Sequence, residues 1–414
     1  MADATFAYWK GTSPIRGLPS NQSTTGFEIW RYRKPPITLR IAVILAADLR
    51  ATIPVTSNAM RFGVELWRAN VMGARIEDLS GLFIDGTIDM NIDRVIMLNL
   101  QVRLRNPGAV QPFSDFLLPI VTIAWEDGRP NERYQLGLYP VRMMTAGEFT
   151  VNKAIGQFAC DDMVSIAINA IAQTAIFEES TDLVGTSVSH RLFEAGIGKR
   201  AIPSGSATFG TDQSRPVGSS MGAVANDWLA MIGWYALHMR LDGYVTTAGA
   251  YRDLNQIEPS LMLTDTDLLT SLSPVATDNQ IVNIGVVTTD TSILPPKSAI
   301  ARNDDALSPA STVNIGDRAR TEVLTGNPSQ AALDKRARQI VQDGRRFYRT
   351  VSVVIQPRPQ LLEPRQTIRL NLTGEQAGLS GIWYVRTARM GLTPETSAMT
   401  LELNQTVDFN GNVI

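Results

Sequence analysis

The sequence predicts an α+β chain that is mostly β, with β segments at both ends and an α+β segment between them. Three observations predict it. Period-two apolar alternation runs through residues 41–145 and returns over residues 348–408. Apolar residues at helical spacing are confined to the middle and to one stretch before the final β segment. The chain has 414 residues, too many for one ordinary core, so two or three domains are expected.

Residues 1–40 read as an arm. Gly11, Pro14, Gly17, Pro19, Asn21 and Pro35-Pro36 break regular structure, while Tyr8, Trp9, Phe27, Trp30 and Tyr32 are too aromatic for plain disorder. Such an arm is expected to dock on its own domain or on a neighbour. Residues 41–150 read as β, with Ile41–Leu45 the first apolar strand. Phe62, Val64 and Leu66 alternate, and Asp85-Gly86 is a turn signal before Ile88, Met90 and Ile92. Ile96, Leu98, Leu100, Val102 and Leu104 make a long alternating strand. Read as an edge strand, it would be an aggregation hazard if left free. Leu118–Trp125 and Tyr134–Val141 complete a meander of strands on short turns, the pattern of a small barrel or sandwich.

Residues 151–275 change character. Asp161 or Asp162 can cap a helix whose stripe runs from Met163 to Ala175. Val188–Ala195 is a short helix ending at Gly196. Ser219 or Ser220 caps a longer one, Met221–Arg240, followed by Asp242-Gly243 and the strand Tyr244–Thr247. Trp228 and Trp234 fall on opposite sides of it, one for the core and one for a partner. Residues 276–330 read as strand and loop around Ile281–Thr288. Residues 331–414 open on the helix Ser329–Phe347, with Lys335, Arg336, Arg338, Arg345 and Arg346 outward, a solvated face or a contact for phosphate or an acidic partner. The strands Val351–Ile355, Thr367–Leu372, Gly381–Val385 and Ala398–Leu403 follow.

Composition narrows the function. Charged residues are 19% of the chain, below the roughly 25% usual in soluble domains. One cause is surface covered in an assembly. A net charge of −2 disfavours specific nucleic-acid binding, which needs a basic groove. Cys160 is the only cysteine, so neither an intrachain disulfide nor a thiolate cluster can form. His190 and His238 have no metal-ligand spacing, and no cofactor or metal is expected. No signal peptide is expected from the N-terminus, and the apolar runs are far short of a membrane span.

Two motifs suggest chemistry and neither holds. Gly218-Ser219-Ser220-Met221-Gly222 fits the nucleophile elbow of serine hydrolases. The segment before it, Gln213-Ser214-Arg215-Pro216-Val217, is a poor central strand. His238, on the same straight helix, would lie about 27 Å away. Helix capping explains Ser220 better. Gly196-Ile197-Gly198-Lys199-Arg200 lacks the glycine and the hydroxyl of a phosphate loop, with Phe193 and Arg200 in their places. Asp161-Asp162 and Asp304-Asp305 are neighbours whose side chains diverge, so they make no acid–base pair. No catalytic, cofactor-binding or metal-ligating residue is assigned, and no enzyme is expected.

Two stretches resemble the central hub proteins of bacteriophage tails, a family that includes baseplate hubs, tail-tip hubs, the late control gene D group and the hub part of type VI secretion spikes. The first is the helix MGAVANDWLAMIGWYALHMR followed by LDGYV; the second is the C-terminal QPRPQLLEPRQTIRLNLTGEQAGLSGIWYVRTARMGLTPETSAMTLELNQ. Together they cover about a fifth of the chain. Where the family often has Gly-Asp before the loop strand, this chain has Pro364-Arg365-Gln366.

The resemblance implies two small β-barrel tube-type domains with α+β segments between them, and a homotrimer whose six barrels surround a channel. That ring would adapt a six-fold tail tube to a three-fold tip. It implies a virion protein of the tail tip, assembled in the host cytoplasm. Its partners would be the tail tube or distal tail ring, the tape measure protein, and tail-tip spike or fibre proteins. Stable membrane insertion is not expected. A distal tail ring protein or a carbohydrate-binding tail adaptor is the alternative.

Overall fold

The structure is a computed structural model. It describes residues 4–8, 28–32, 60–125, 130–150, 153–249, 258–270, 272–275, 281–290, 295–308, 310–324, 328–345, 349–393 and 398–405. The chain divides into two compact units, Met1–Val55 and Thr56–Ile414. In the first, β1 (Ala4–Tyr8) and β2 (Glu28–Tyr32) form an antiparallel ribbon with Phe6 opposite Trp30. The rest of the proposed arm, and the strand expected at Ile41–Leu45, lie outside the described residues.

In the second unit the fold class is as expected, α+β and mostly β. The first β segment holds β3 (Met60–Ala69), β4 (Arg75–Asp78), β5 (Phe83–Asn91), β6 (Leu98–Arg105), β7 (Phe116–Trp125), β8 (Glu132–Gln135), β9 (Tyr139–Thr150) and β10 (Lys153–Asp161). Alternation explains β6. Leu98, Leu100, Val102 and Leu104 are buried on one face, while Asn99, Gln101, Arg103 and Arg105 point the other way.

The middle holds α1 (Val164–Asn169), β11 (Ile176–Glu178), α2 (Val184–Glu194), β12 (Arg200–Ala201), β13 (Gln213–Arg215), α3 (Met221–Met231), β14 (Leu237–Met239), β15 (Val245–Thr247), β16 (Leu261–Thr264) and β17 (Ser273–Val275). Then come β18 (Ile284–Thr289), β19 (Ser298–Arg302) and β20 (Ala319–Leu324), a three-stranded sheet in the order β19-β18-β20. The helix α4 (Gln330–Arg345) covers it, burying Leu333, Ala337 and Ile340 against Val287, Ala299 and Leu324. Gly285 allows that approach, since a Cβ there would lie 2.3 Å from the Ala337 carbonyl oxygen. The last strands are β21 (Arg349–Ile355), β22 (Thr367–Asn371), β23 (Gly381–Gly391) and β24 (Met399–Gln405), with Trp383 and Tyr384 in the core.

One sheet joins the two β segments. Its path is β17-β21-β24-β23-β5-β6-β10-β9-β7-β3-β4, with β16, β22 and β8 attached at its sides. The seam is the antiparallel pair β5–β23, where Met90 faces Ala388 and Asp89 faces Arg389. Strand pairing leaves this path open, so the two expected barrels are not closed by hydrogen bonds among the described residues.

Several elements depart from expectation for identifiable reasons. The strand expected at Ile96–Leu104 is no edge: β6 pairs with β5 on one side and β10 on the other. Asp85-Gly86 is no turn; it lies inside β5 at a register shift. Glycine fits there because a Cβ would sit 2.6 Å from the Gln101 carbonyl oxygen. The expected strand Tyr134–Val141 is split between β8 and β9. The first middle helix ends at Asn169, before the bridge between Ile171 and Ser220. The expected helix Met221–Arg240 stops at Met231. Gly233 turns the chain at φ +67°, and His238 then lies on β14, paired with Thr246.

Candidate assembly surface

Across the seam, the face of the sheet opposite the core is built from cross-strand polar pairs. The register aligns Arg389, Asp89, Asn99 and Asp161 in one row over β23, β5, β6 and β10. Arg389 Nε lies 3.4 Å from Asp89 Oδ1, and Asn99 Nδ2 donates to Asp161 Oδ1 at 3.0 Å. Arg142 of β9 closes the row on Asp161 Oδ2. A second row aligns Asp85, Arg103 and Gln157, with Arg103 Nε donating to Asp85 Oδ1 at 2.7 Å. Asp85, Arg103, Gln157 and Arg389 line a groove of about 730 Å³, together with Thr87, Gln101 and Thr393. Burial pushes the Asp89 carboxyl up against the opposing pull of Arg389.

Arg389, Arg142 and Arg103 each have a carboxylate partner on this face. Such half-exposed pairs add little stability. Their effect is electrostatic: a carboxylate beside each of these three guanidinium groups weakens its pull on a phosphate.

A second knot fastens the middle to both β segments. Arg358 Nη2 donates to Asp267 Oδ1 at 3.0 Å, and both side chains are nearly buried. Asp267 Oδ2 accepts from Thr264 N at 2.9 Å, closing a capping box. The Arg358 guanidinium also lies 5.3 Å from the ring centre of Trp125, on β7. Trp125 and Tyr134 in turn donate to the two oxygens of Glu132.

The residues weighed from sequence take structural places. Ser220 caps α3: its Oγ accepts from Ala223 N at 3.3 Å and donates to the Ile168 carbonyl at 2.7 Å. His238 is buried, and its Nδ1 has no partner in the described structure. Burial lowers its pKa to about 4, helped by the nearby Arg365. Cys160 is fully buried, and burial raises its thiol pKa. His190 lies on the exposed side of α2, 3.8 Å from Glu194. Asp162 does not share a proton with Asp161; it is buried and accepts from Leu98 N and Val164 N. Burial lifts its pKa to about 7 against those two bonds. Asp304 accepts from Thr312 and Arg302 in a turn. Lys199 of the discarded phosphate loop donates to the Asp242 carbonyl.

Trp228 is the core tryptophan, edge-on to Phe209. Trp234 is half-buried beside Gly205. On α4, Arg336 forks onto Glu322 with two bonds of 2.8 Å, whereas Arg338 is exposed. The side chains of Arg345 and Arg346 lie outside the described residues. Among the described residues, no group of three or more His, Cys, Asp or Glu could hold a metal ion. No helix there is long and apolar enough to cross a membrane.

The comparisons fall on the fold. No protein-family model matches the chain, and no curated protein matches it. Solved structures share its architecture, two of them tail proteins. The tail protein from Neisseria meningitidis MC58 superposes with a TM-score of 0.57 at 13% identity, over 84% of this chain and 98% of that one. The 43 kDa tail protein of prophage MuSo2 from Shewanella oneidensis gives 0.53 at 10% identity, over 82% and 98%. The chain therefore has the fold of phage tail proteins, as the resemblance of its helix and C-terminal stretch implied.

Proposed function

We propose that the chain is a structural virion protein: the central hub of a phage tail tip or baseplate. In this reading three copies form a ring around the tail channel and adapt a six-fold tail tube to a three-fold tip. One observation carries it. The β5–β23 pairing sets two β segments side by side within one chain, so three chains present six segments. A homotrimer is then the closed assembly that matches a six-fold tube.

The three paired arginines of the sheet face support the same reading, because a passage for DNA must not hold phosphates. The tail tube or distal tail ring and the tape measure protein would meet the ring on one side, and spike or fibre proteins on the other. Ser220, engaged as a helix cap, supports a role without catalysis. Native mass measurement with imaging of the purified protein tests the reading. A trimeric ring with a central opening is expected. A stable monomer, or a six-copy ring, would overturn it.

A further inference from the structure

The outer edge of β9 changes character along its length. At its start, β7 pairs with Tyr139 and Pro140. Next, Phe113 N donates to the Val141 carbonyl at 2.7 Å, and Val141 N donates to the Asp115 carbonyl at 3.0 Å. Beyond that point, no strand among the described residues pairs with the outer side of Arg142–Gly147; β10 takes only the inner side. All six residues are exposed. Met143 is 52% exposed and Met144 41%. Beside them Phe113, held at φ +69°, is 86% exposed. Open edges are commonly guarded by lysine or proline, and Met143–Gly147 carries no charge and no proline. An open backbone ladder flanked by methionine and phenylalanine suits an incoming strand with aromatic side chains.

The same chain carries such a strand pair. The β1–β2 ribbon has five residues in each strand, ATFAY and EIWRY, rich in aromatic and β-branched residues. A lone two-stranded ribbon is marginal in water and gains by joining a larger sheet. Its strands span about 17 Å, and the open edge of β9 about 20 Å. The 27 residues between Tyr32 and Met60 can reach at most about 90 Å. A folded unit the size of Thr56–Ile414 is roughly 50 Å across. The tether is thus long enough to carry the ribbon to a neighbouring copy.

We infer that the β1–β2 ribbon of one copy adds to the open edge of β9 in a second copy, a strand exchange that ties adjacent subunits. The inference rests on the reading that copies of this chain assemble. Each such joint is short and weak alone. Closing a ring makes the last joint intramolecular, so the set holds together at concentrations where a single joint would not.

The test is a cross-link between two distinguishable chains. One carries Ala7→Cys and a large tag; the other carries Ala146→Cys. They are co-expressed, purified together and treated with a short bismaleimide. The native Cys160 is buried and silent. A species with the combined mass of both chains is expected, and none when the protein is diluted to monomer before the reagent is added. Amide exchange over Arg142–Gly147 should slow in the assembly relative to the diluted protein. A trimer without that cross-link and without that protection overturns the strand exchange and leaves the ring reading standing. A monomer at every concentration overturns both. A chain carrying both cysteines that links only within itself shows that the ribbon serves its own copy, and also overturns the exchange.

Discussion

The guanidinium of Arg365 lies 4.0 Å from the ring centre of Tyr235, and the backbone that puts it there is left-handed, with φ +70° at Arg365. A residue with a Cβ pays about 1 kcal/mol for that conformation, which suits glycine. A cation over an aromatic ring returns about 0.5–2 kcal/mol. The two nearly cancel. Arg365→Ala keeps the strain and loses the contact, so it should lower stability by about 1–2 kcal/mol. Arg365→Gly loses both and should stay within about 1 kcal/mol of the wild type. Urea denaturation separates them; equal losses for both variants would show that the backbone is unstrained.

His238 makes stability depend on acid. Its pKa falls from 6.5 to about 4 on folding, because burial opposes the charged ring. A depressed base favours the fold at pH above 6.5, and that contribution is lost as pH falls toward 4. The full difference is about 3 kcal/mol. His238→Gln should remove this slope between pH 6.5 and 4, measured as unfolding free energy at several pH values.

Asp162 acts with the opposite sign. Its pKa rises from 3.8 to about 7 on folding, again because burial opposes charge. A raised acid favours the fold below pH 3.8, and that contribution is lost as pH rises through 7, a difference of about 4 kcal/mol. Between pH 4 and 6.5 the two slopes oppose each other, so the wild type should be nearly flat there. Asp162→Asn should expose the histidine slope, with stability rising with pH. His238→Gln should expose the aspartate slope, falling with pH. A steep wild-type profile in that window would contradict both assignments.

How much of this was legible depended on the kind of interaction. Leu98, Leu100, Val102 and Leu104 announce β6 because alternation records which face is buried. Alternation says nothing about which edge is paired, so an interior strand read as an edge. The β5–β23 seam is invisible for a related reason: it is a backbone match between residues some 300 positions apart, as in Asp89 and Arg389. The end of α3 was written in Gly233, inside a helical pattern that continued past it. At Arg365 the backbone is left-handed, a conformation that suits glycine, and an arginine in the sequence gives no sign of it. The open edge of β9 gave no signal, since Met143 and Met144 look like core residues until their neighbours are placed.

The ion pair between Arg358 and Asp267 should be worth more to the fold than the half-exposed pairs of the sheet face. Its side chains are 11% and 10% exposed, against 50% and 30% for Arg103 and Asp85. Removing one partner of a buried pair strands the other charge and costs about 3–5 kcal/mol. Arg358→Ala also removes the contact over Trp125. Arg103→Ala should cost less than about 1 kcal/mol. Comparing the two variants by chemical denaturation checks the ranking; equal effects would refute it.

Ser220 supplies the sharpest contrast between a helix cap and a nucleophile. As a cap, its Oγ satisfies Ala223 N and the Ile168 carbonyl, joining the start of α3 to α1. Ser220→Ala leaves both groups without that partner and should cost about 1–2 kcal/mol. Ser220→Thr keeps a hydroxyl that can cap and should recover most of the loss. A nucleophile would behave differently: both substitutions would abolish ester turnover, whatever they did to stability. His238, the only histidine that follows, sits on β14 with its ring buried, so no base has been placed to activate the hydroxyl. Hydrolysis of a simple activated ester should therefore be the same for the wild type, Ser220→Ala and Ser220→Thr, while their denaturation midpoints follow the order of capping strength. Turnover that vanished with the hydroxyl would reverse the assignment.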